Sequence, residues 1–208
     1  MIQLMNVTKR YENRLVLRGI DLTLSPGEVV GVSGANGTGK STLLKIMSGR
    51  MRQTGGEIRW DDADSCGNLS WIGHEPGVYL DFTARENLSF FCSLAAPVDN
   101  PKMPLDDALL AVGLGSVGRK PVRAFSRGMK QRLALARLLV EGRRYWMMDE
   151  PTTGLDSESR ELLSQHIRSH VAGGGAALVV SHLPEVLSAI ADRSAELTKG
   201  NLLWGERA

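Results

Sequence analysis

Cysteine is scarce in this chain: Cys66 and Cys92 are the only two in 208 residues, and nothing in their spacing suggests a metal site. Reduced thiols of a cytosolic protein are the expectation. Long apolar runs are missing too. The N-terminal "MIQLMNVTKRYENR" has no hydrophobic core of signal-peptide length. Stretches such as "LALARLLV" carry a charge and fall far short of the ~20 residues that span a bilayer. A soluble product is expected, so any membrane role must come through a partner. Neither sign of charge dominates: 25 basic residues stand against 23 acidic ones. With no basic stripe, nucleic acid and acidic lipid are not expected as main partners. No internal repeat, low-complexity tract or long linker interrupts the sequence.

The pattern that is present changes along the chain. "IQLMNVTKRY" and "LVLRGIDLTLS" alternate apolar and polar residues as half-buried antiparallel strands do. "VVGVSG" is apolar without alternation, as in a strand covered on both faces. "KSTLLKIMSG" has helical spacing and stops at Gly49. "GEIRW" and "LSWIG" read as short strands. "TARENLSFFCSL", "PLDDALLAVGL" and "SRGMKQRLALARLLVEG" then read as helices. Strands return in "RYWMMDE" and "AALVVSH", separated by the helix "SESRELLSQHIRSH", and "SAELTKGNLLWG" reads as two more. This predicts one α/β domain over 1–208 with a mixed β core. Its core lobe comprises 1–74 and 143–208, and its helical lobe 75–142.

"GANGTGKS" fits G-x-x-x-x-G-K-[ST] in full, between a predicted strand and a predicted helix. Gly34, Gly37 and Gly39 let the chain wrap tightly enough for successive N–H groups to face phosphate oxygens. Ala35, Asn36 and Thr38 complete the turn, and the helix start adds positive potential. Lys40 would bridge the β- and γ-phosphates, the Ser41 hydroxyl would ligate Mg²⁺, and Thr42 follows on the first helical turn. "YWMMDEP" ends an apolar strand in two acids. Asp149 would hold a Mg²⁺-bound water, and Glu150, pointing differently, would polarise the attacking water. "VVSH" ends another strand in His182, whose imidazole is suited to contact the γ-phosphate and the water. "FSRGMKQ" poses a puzzle: a second small-hydroxyl and glycine turn, at the start of another helix.

Taken in order, "GANGTGKST", "FSRGMKQR", "YWMMDEPTTGLD" and "VVSH" resemble the nucleotide-binding subunit of ATP-binding-cassette (ABC) transporters, from Tyr11 to about Leu203. The resemblance implies a P-loop ABC nucleotide-binding domain with an antiparallel β subdomain and a helical signature subdomain. It also implies ATP with Mg²⁺, and a head-to-tail dimer formed with itself or with a homologous ATPase. Permease subunits would be bound at the cytoplasmic face of a bacterial inner membrane. Tyr11 would stack on adenine, and Asp156 would lie at the subunit interface. Ser126, Arg127, Gly128 and Met129 occupy the signature turn, where Ser126 and the Gly128 amide would contact ATP held by the opposite chain. That solves the puzzle, because the second turn serves the neighbour's nucleotide. Arg127 stands where the family usually has glycine.

His74 stands where the family usually has a glutamine that reaches Mg²⁺ and the attacking water. A histidine has a different reach and titrates near neutral pH, which leaves open whether it takes over that contact. Its segment is kept as the coupling loop to the membrane subunit. "GHEPG" followed by "TARENL" in a short chain resembles the ATPase subunit of the bacterial haem exporter of cytochrome c maturation. "SRGMKQRL" is also usual in general export ATPases for drugs, lipids or polysaccharides. A soluble cassette ATPase of DNA repair or translation fits less well, since neither a second cassette nor a coiled-coil insert is present. A module that binds without hydrolysing fits poorly with Glu150 and His182 both in place.

Overall fold

The computed structural model describes residues 1–61, 65–94 and 102–205. The side chain of Cys66 lies outside that description, and Cys92 is a free thiol. An antiparallel sheet sets β1 (Ile2–Tyr11) between β2 (Arg14–Leu24) and β4 (Gly55–Trp60). Ile2, Leu4 and Val7 of β1 are all buried, although the spacing slips by one between the last two. An irregularity in the pairing, with Asn6 at φ 49°, absorbs the extra residue and returns Val7 to the core side.

The second sheet is built on β3 (Val29–Ser33), β5 (Leu69–Ile72), β6 (Tyr145–Asp149), β7 (Ala176–Val180), β8 (Arg193–Thr198) and β9 (Asn201–Trp204). Its strand order is β5-β6-β7-β3-β8-β9, parallel throughout except for the last pair. Helix α1 (Lys40–Met47) follows β3, and Gly49 at φ 70° ends it. Between β5 and β6 lie α2 (Ala84–Leu94), α3 (Leu105–Ala111) and α4 (Arg127–Glu141). Thr83 and Glu86 exchange reciprocal bonds at the start of α2, a capping box. Helix α5 (Ser157–Ala172) joins β6 to β7, and α6 (Pro184–Ile190) joins β7 to β8. The sequence reading had no α6, because seven residues are too few to display a helical period.

Alternate residues of the central strands feed two separate hydrophobic clusters. Val30, Val32, Tyr145, Met147, Leu178 and Val180 meet α1 and the antiparallel sheet. Val29, Trp146, Met148, Ala177 and Val179 meet α4, α5 and α6. Burial on both faces is why these strands read as unbroken apolar runs. Gly31 is the exception, since a Cβ there would lie 3.1 Å from Ala191 and 3.2 Å from Leu187 at the end of α6. Among the described residues no helix is long and apolar enough to cross a membrane.

At the end of β6 away from its acids, the His170 ring stacks on Trp146, centroids 3.8 Å apart, with Nε2 3.0 Å from the Arg144 carbonyl. Burial lowers the His170 pKa from the ordinary 6.5. The unfolded chain therefore takes up this proton more readily than the folded one. The stability contributed here is complete above the unfolded value and is lost progressively as pH falls from it through the lower folded value. Thermal melts should show the wild type losing Tm from about pH 7.5 to about pH 5, with a shallower slope for His170→Gln.

Candidate active site

Val180 of β7 stands level with Val32 of β3 on one side and Asp149 of β6 on the other. The chain therefore leaves three neighbouring strands at one rim, as Gly34–Gly39, as Glu150 and as Ser181–His182. The first segment turns tightly, with Gly34 at φ 148°, Gly37 at φ 78° and Gly39 at φ 111°. A Cβ at Gly34 would lie 2.5 Å from the Leu197 carbonyl oxygen, so only glycine fits there. Lys40, at the start of α1, folds back into this turn. Its Nζ donates to the carbonyls of Gly34 (2.7 Å) and Ala35 (3.1 Å) and lies 4.0 Å from Glu150 Oε1. Thr38 closes the loop by donating its hydroxyl to the Ala35 carbonyl at 2.9 Å. The result is a buried ammonium inside a ring of backbone, facing a helix N-terminus.

Glu150 adopts φ 53°, a left-handed conformation that costs a non-glycine residue energy and turns it away from Asp149. Its Oε2 accepts from Ser181 Oγ at 3.1 Å and lies 2.9 Å from His182 Nδ1. Asp149 is buried, and its carboxylate has no hydrogen bond or ion pair with any described residue. A cleft of about 420 Å³ gathers these groups with Tyr11, Asn36, Gly37, Gly39, Ser41, Thr42 and His74. Tyr11 is 42% exposed at the mouth, its hydroxyl 2.9 Å from Met51 Sδ. Arg14, Val16 and Thr153 also line the cleft, and sequence reasoning missed them. The first two come from β2, which long-range pairing with β1 and the bond from the Arg18 N–H to the Gly200 carbonyl (2.8 Å) hold over the loop. A larger groove of about 840 Å³ shares Arg14, Val16, Asn36 and Gly37 with the cleft and adds Arg18 and Lys199, with no acid or histidine in its lining.

His74 is exposed in the loop after β5, and α4 grips both ends of that loop. Arg137 of α4 donates to the Trp71 carbonyl and, at 3.5 Å, to the Gly77 carbonyl, with its guanidinium 4.5 Å from the Phe91 ring. Burial lowers the Arg137 pKa, and Glu141 nearby opposes the shift.

The signature turn is elsewhere. None of residues 126–129 lines the cleft. Ser126 caps α4 by accepting from the Met129 N–H at 3.2 Å. Gln131 donates to the Pro151 carbonyl at 2.9 Å, and a Cβ on Gly128 would lie 2.9 Å from the Gly154 carbonyl oxygen. The stem of Arg127 packs over Gly154, so its direction is along the turn after Glu150. Asp156 is exposed and caps α5 through the Ser159 N–H at 2.8 Å. Its hydrogen bonds with Ser159 hold its pKa below the usual carboxylate value.

Residues 17–153 match the model of the ABC transporter family. The chain belongs to that family. It is an ABC ATPase domain, which binds ATP and hydrolyses it, and the match runs from β2 past the loop, the signature turn and both strand-end acids. Tyr11, Asp156 and His182 lie outside the matched span. A cytochrome c biogenesis ATP-binding export protein CcmA from Bordetella bronchiseptica is 41% identical over 173 residues, 79% of this chain and 76% of that protein. The CcmA of Salmonella typhi is 36% identical over 207 residues, 96% of this chain and 98% of that one. The solved dimer of MJ0796, a bacterial ABC transporter cassette, superposes with a TM-score of 0.84 at 25% identity, covering 97% of this chain and 96% of that one.

Capping can be separated at Ser126 from the nucleotide contact that the resemblance implies. Ser126→Asn keeps an N-cap acceptor, whereas Ser126→Ala should cost α4 about 1 kcal/mol. We expect the Asn variant to melt with the wild type yet to lose about ten-fold or more of its ATP hydrolysis. Full activity in Ser126→Asn would leave only the capping role.

Proposed function

We propose that the chain is the ATP-hydrolysing subunit of a haem-exporting complex for c-type cytochrome biogenesis, working as a head-to-tail dimer beneath integral membrane permease subunits at the cytoplasmic face of a bacterial inner membrane. The observation that carries hydrolysis is Glu150, whose Oε1 is turned toward Lys40 at 4.0 Å while Oε2 is occupied by Ser181 and His182. The export assignment is supported by identity with relatives named for cytochrome c biogenesis, at 41% and 36%. Haem is the cargo that such assembly calls for.

In this reading Tyr11 stacks on adenine at the cleft mouth. Lys40 and the N–H groups of residues 34–42 hold the β- and γ-phosphates. Ser41 and Asp149 suit a hard cation: both present oxygen, and Asp149 has no protein partner among the described residues. Mg²⁺ held there would neutralise phosphate charge. Glu150 takes the proton of the attacking water as its oxygen bonds to the γ-phosphorus and the bond to the ADP oxygen breaks. His182 steadies Glu150 and the γ-phosphate. Ser126 and the Gly128 amide of the second copy close the site from the other side, with Arg127 and Met129 beside them and Asp156 at the interface. Closure is favoured because ATP gains these contacts only in the closed dimer. The helical lobe of residues 75–142, with His74 on its coupling loop, carries that movement to the permease.

Glu150→Gln should accumulate an ATP-bound dimer, read by size exclusion with Mg²⁺ and the co-purified membrane partners; a persistent monomer would count against the mechanism. In cells, loss of the chain should abolish c-type cytochromes, with rescue by the wild type and not by Lys40→Ala. Undiminished cytochromes would favour a general exporter instead.

A further inference from the structure

Ser181 has no part in the mechanism above beyond its contact with Glu150, yet it is fully buried at the rim where three strands end. Its hydroxyl makes two bonds of defined direction. It accepts the N–H of Leu183 at 3.2 Å, which leaves its single proton free to go elsewhere. The acceptor within reach is Glu150 Oε2 at 3.1 Å. His182 Nδ1 approaches the same oxygen at 2.9 Å, but the His182 side chain is 45% exposed, while Ser181 is fully buried with its N–H tied to the Val32 carbonyl at 3.1 Å. Two contacts thus converge on one oxygen and leave Oε1 as the one facing Lys40.

We propose that Ser181 is a positioning residue that selects which oxygen of Glu150 receives the proton of the attacking water. The proposal rests on Glu150 being the base. The backbone around Glu150 cannot make this choice by itself. It fixes φ through the bond from Glu150 N–H to the Val180 carbonyl (2.9 Å) and the bond from Thr153 N–H to the Glu150 carbonyl (3.1 Å). Neither bond touches the carboxylate, whose terminal torsion is soft. The Ser181 hydroxyl supplies the missing restraint from a buried site, where a hydrogen bond to a charged group is strong.

The test is steady-state ATP hydrolysis by the full chain with its membrane partners. Ser181→Ala should lower kcat about ten- to one-hundred-fold and leave KM for ATP within about two-fold, because the phosphate loop is untouched. Ser181→Thr keeps the hydroxyl and should restore kcat to within about three-fold of wild type, on the same hydrogen-bond argument. Binding of a fluorescent ATP analogue and the Tm of each variant report whether the fold survived. If Ser181→Ala keeps wild-type kcat while Glu150→Gln is inactive, the positioning role is wrong and the base stands. If Glu150→Gln itself turns over normally, the reading beneath it has failed instead. A loss of kcat in Ser181→Ala matched by an equal loss of ATP binding, or one that Ser181→Thr fails to reverse despite an unchanged Tm, would also overturn the proposal.

Discussion

The site depends on a register. Val180 aligned with both Val32 and Asp149 brings the ends of β3, β6 and β7 to one level, and every reacting group leaves the sheet there. A one-residue slip in a parallel pair would send Asp149 to the other face and exchange the two hydrophobic clusters. The clusters enforce the alignment. Tyr145 and Met147 belong with α1 and Trp146 and Met148 with the opposite helices, so packing on both faces specifies the same register. Core and chemistry are in this sense one constraint.

At that rim, the chain holds polar groups that its own fold does not fully satisfy. Lys40 bonds to loop carbonyls, Asp149 bonds to nothing described, and Glu150 sits in a conformation unfavourable for its residue type. Strain and unpaired charge of this kind are retained where a ligand is to complete the arrangement. The signature turn shows the complementary condition. Its helix start is exposed, capped only by Ser126, and tied through Gln131 to the turn that follows Glu150. One copy thus has both an unfinished cleft and a separate exposed helix start, which fits the head-to-tail dimer proposed above.

The tie from Gln131 to Pro151 and the grip of Arg137 on the His74 loop come from one helix. Helix α4 therefore touches the signature turn, the segment after the strand-end acid and the loop bearing His74.

Sequence alone determined the elements with strong periodicity and the residues whose chemistry is local. The glycine turn, the two strand-end acids and the capped start of α4 were legible because each is specified by neighbours within a few residues. Helix α6 was not, being too short to display a period. Arg14 and Val16 were not either, since β2 reaches the phosphate loop through long-range contacts. The same holds for Ser181: "VVSH" contains it in plain view, but its bond to Glu150 spans 31 residues of sequence. What tertiary structure decided was which oxygen and which rim, because those depend on distances between strands that sequence spacing does not encode.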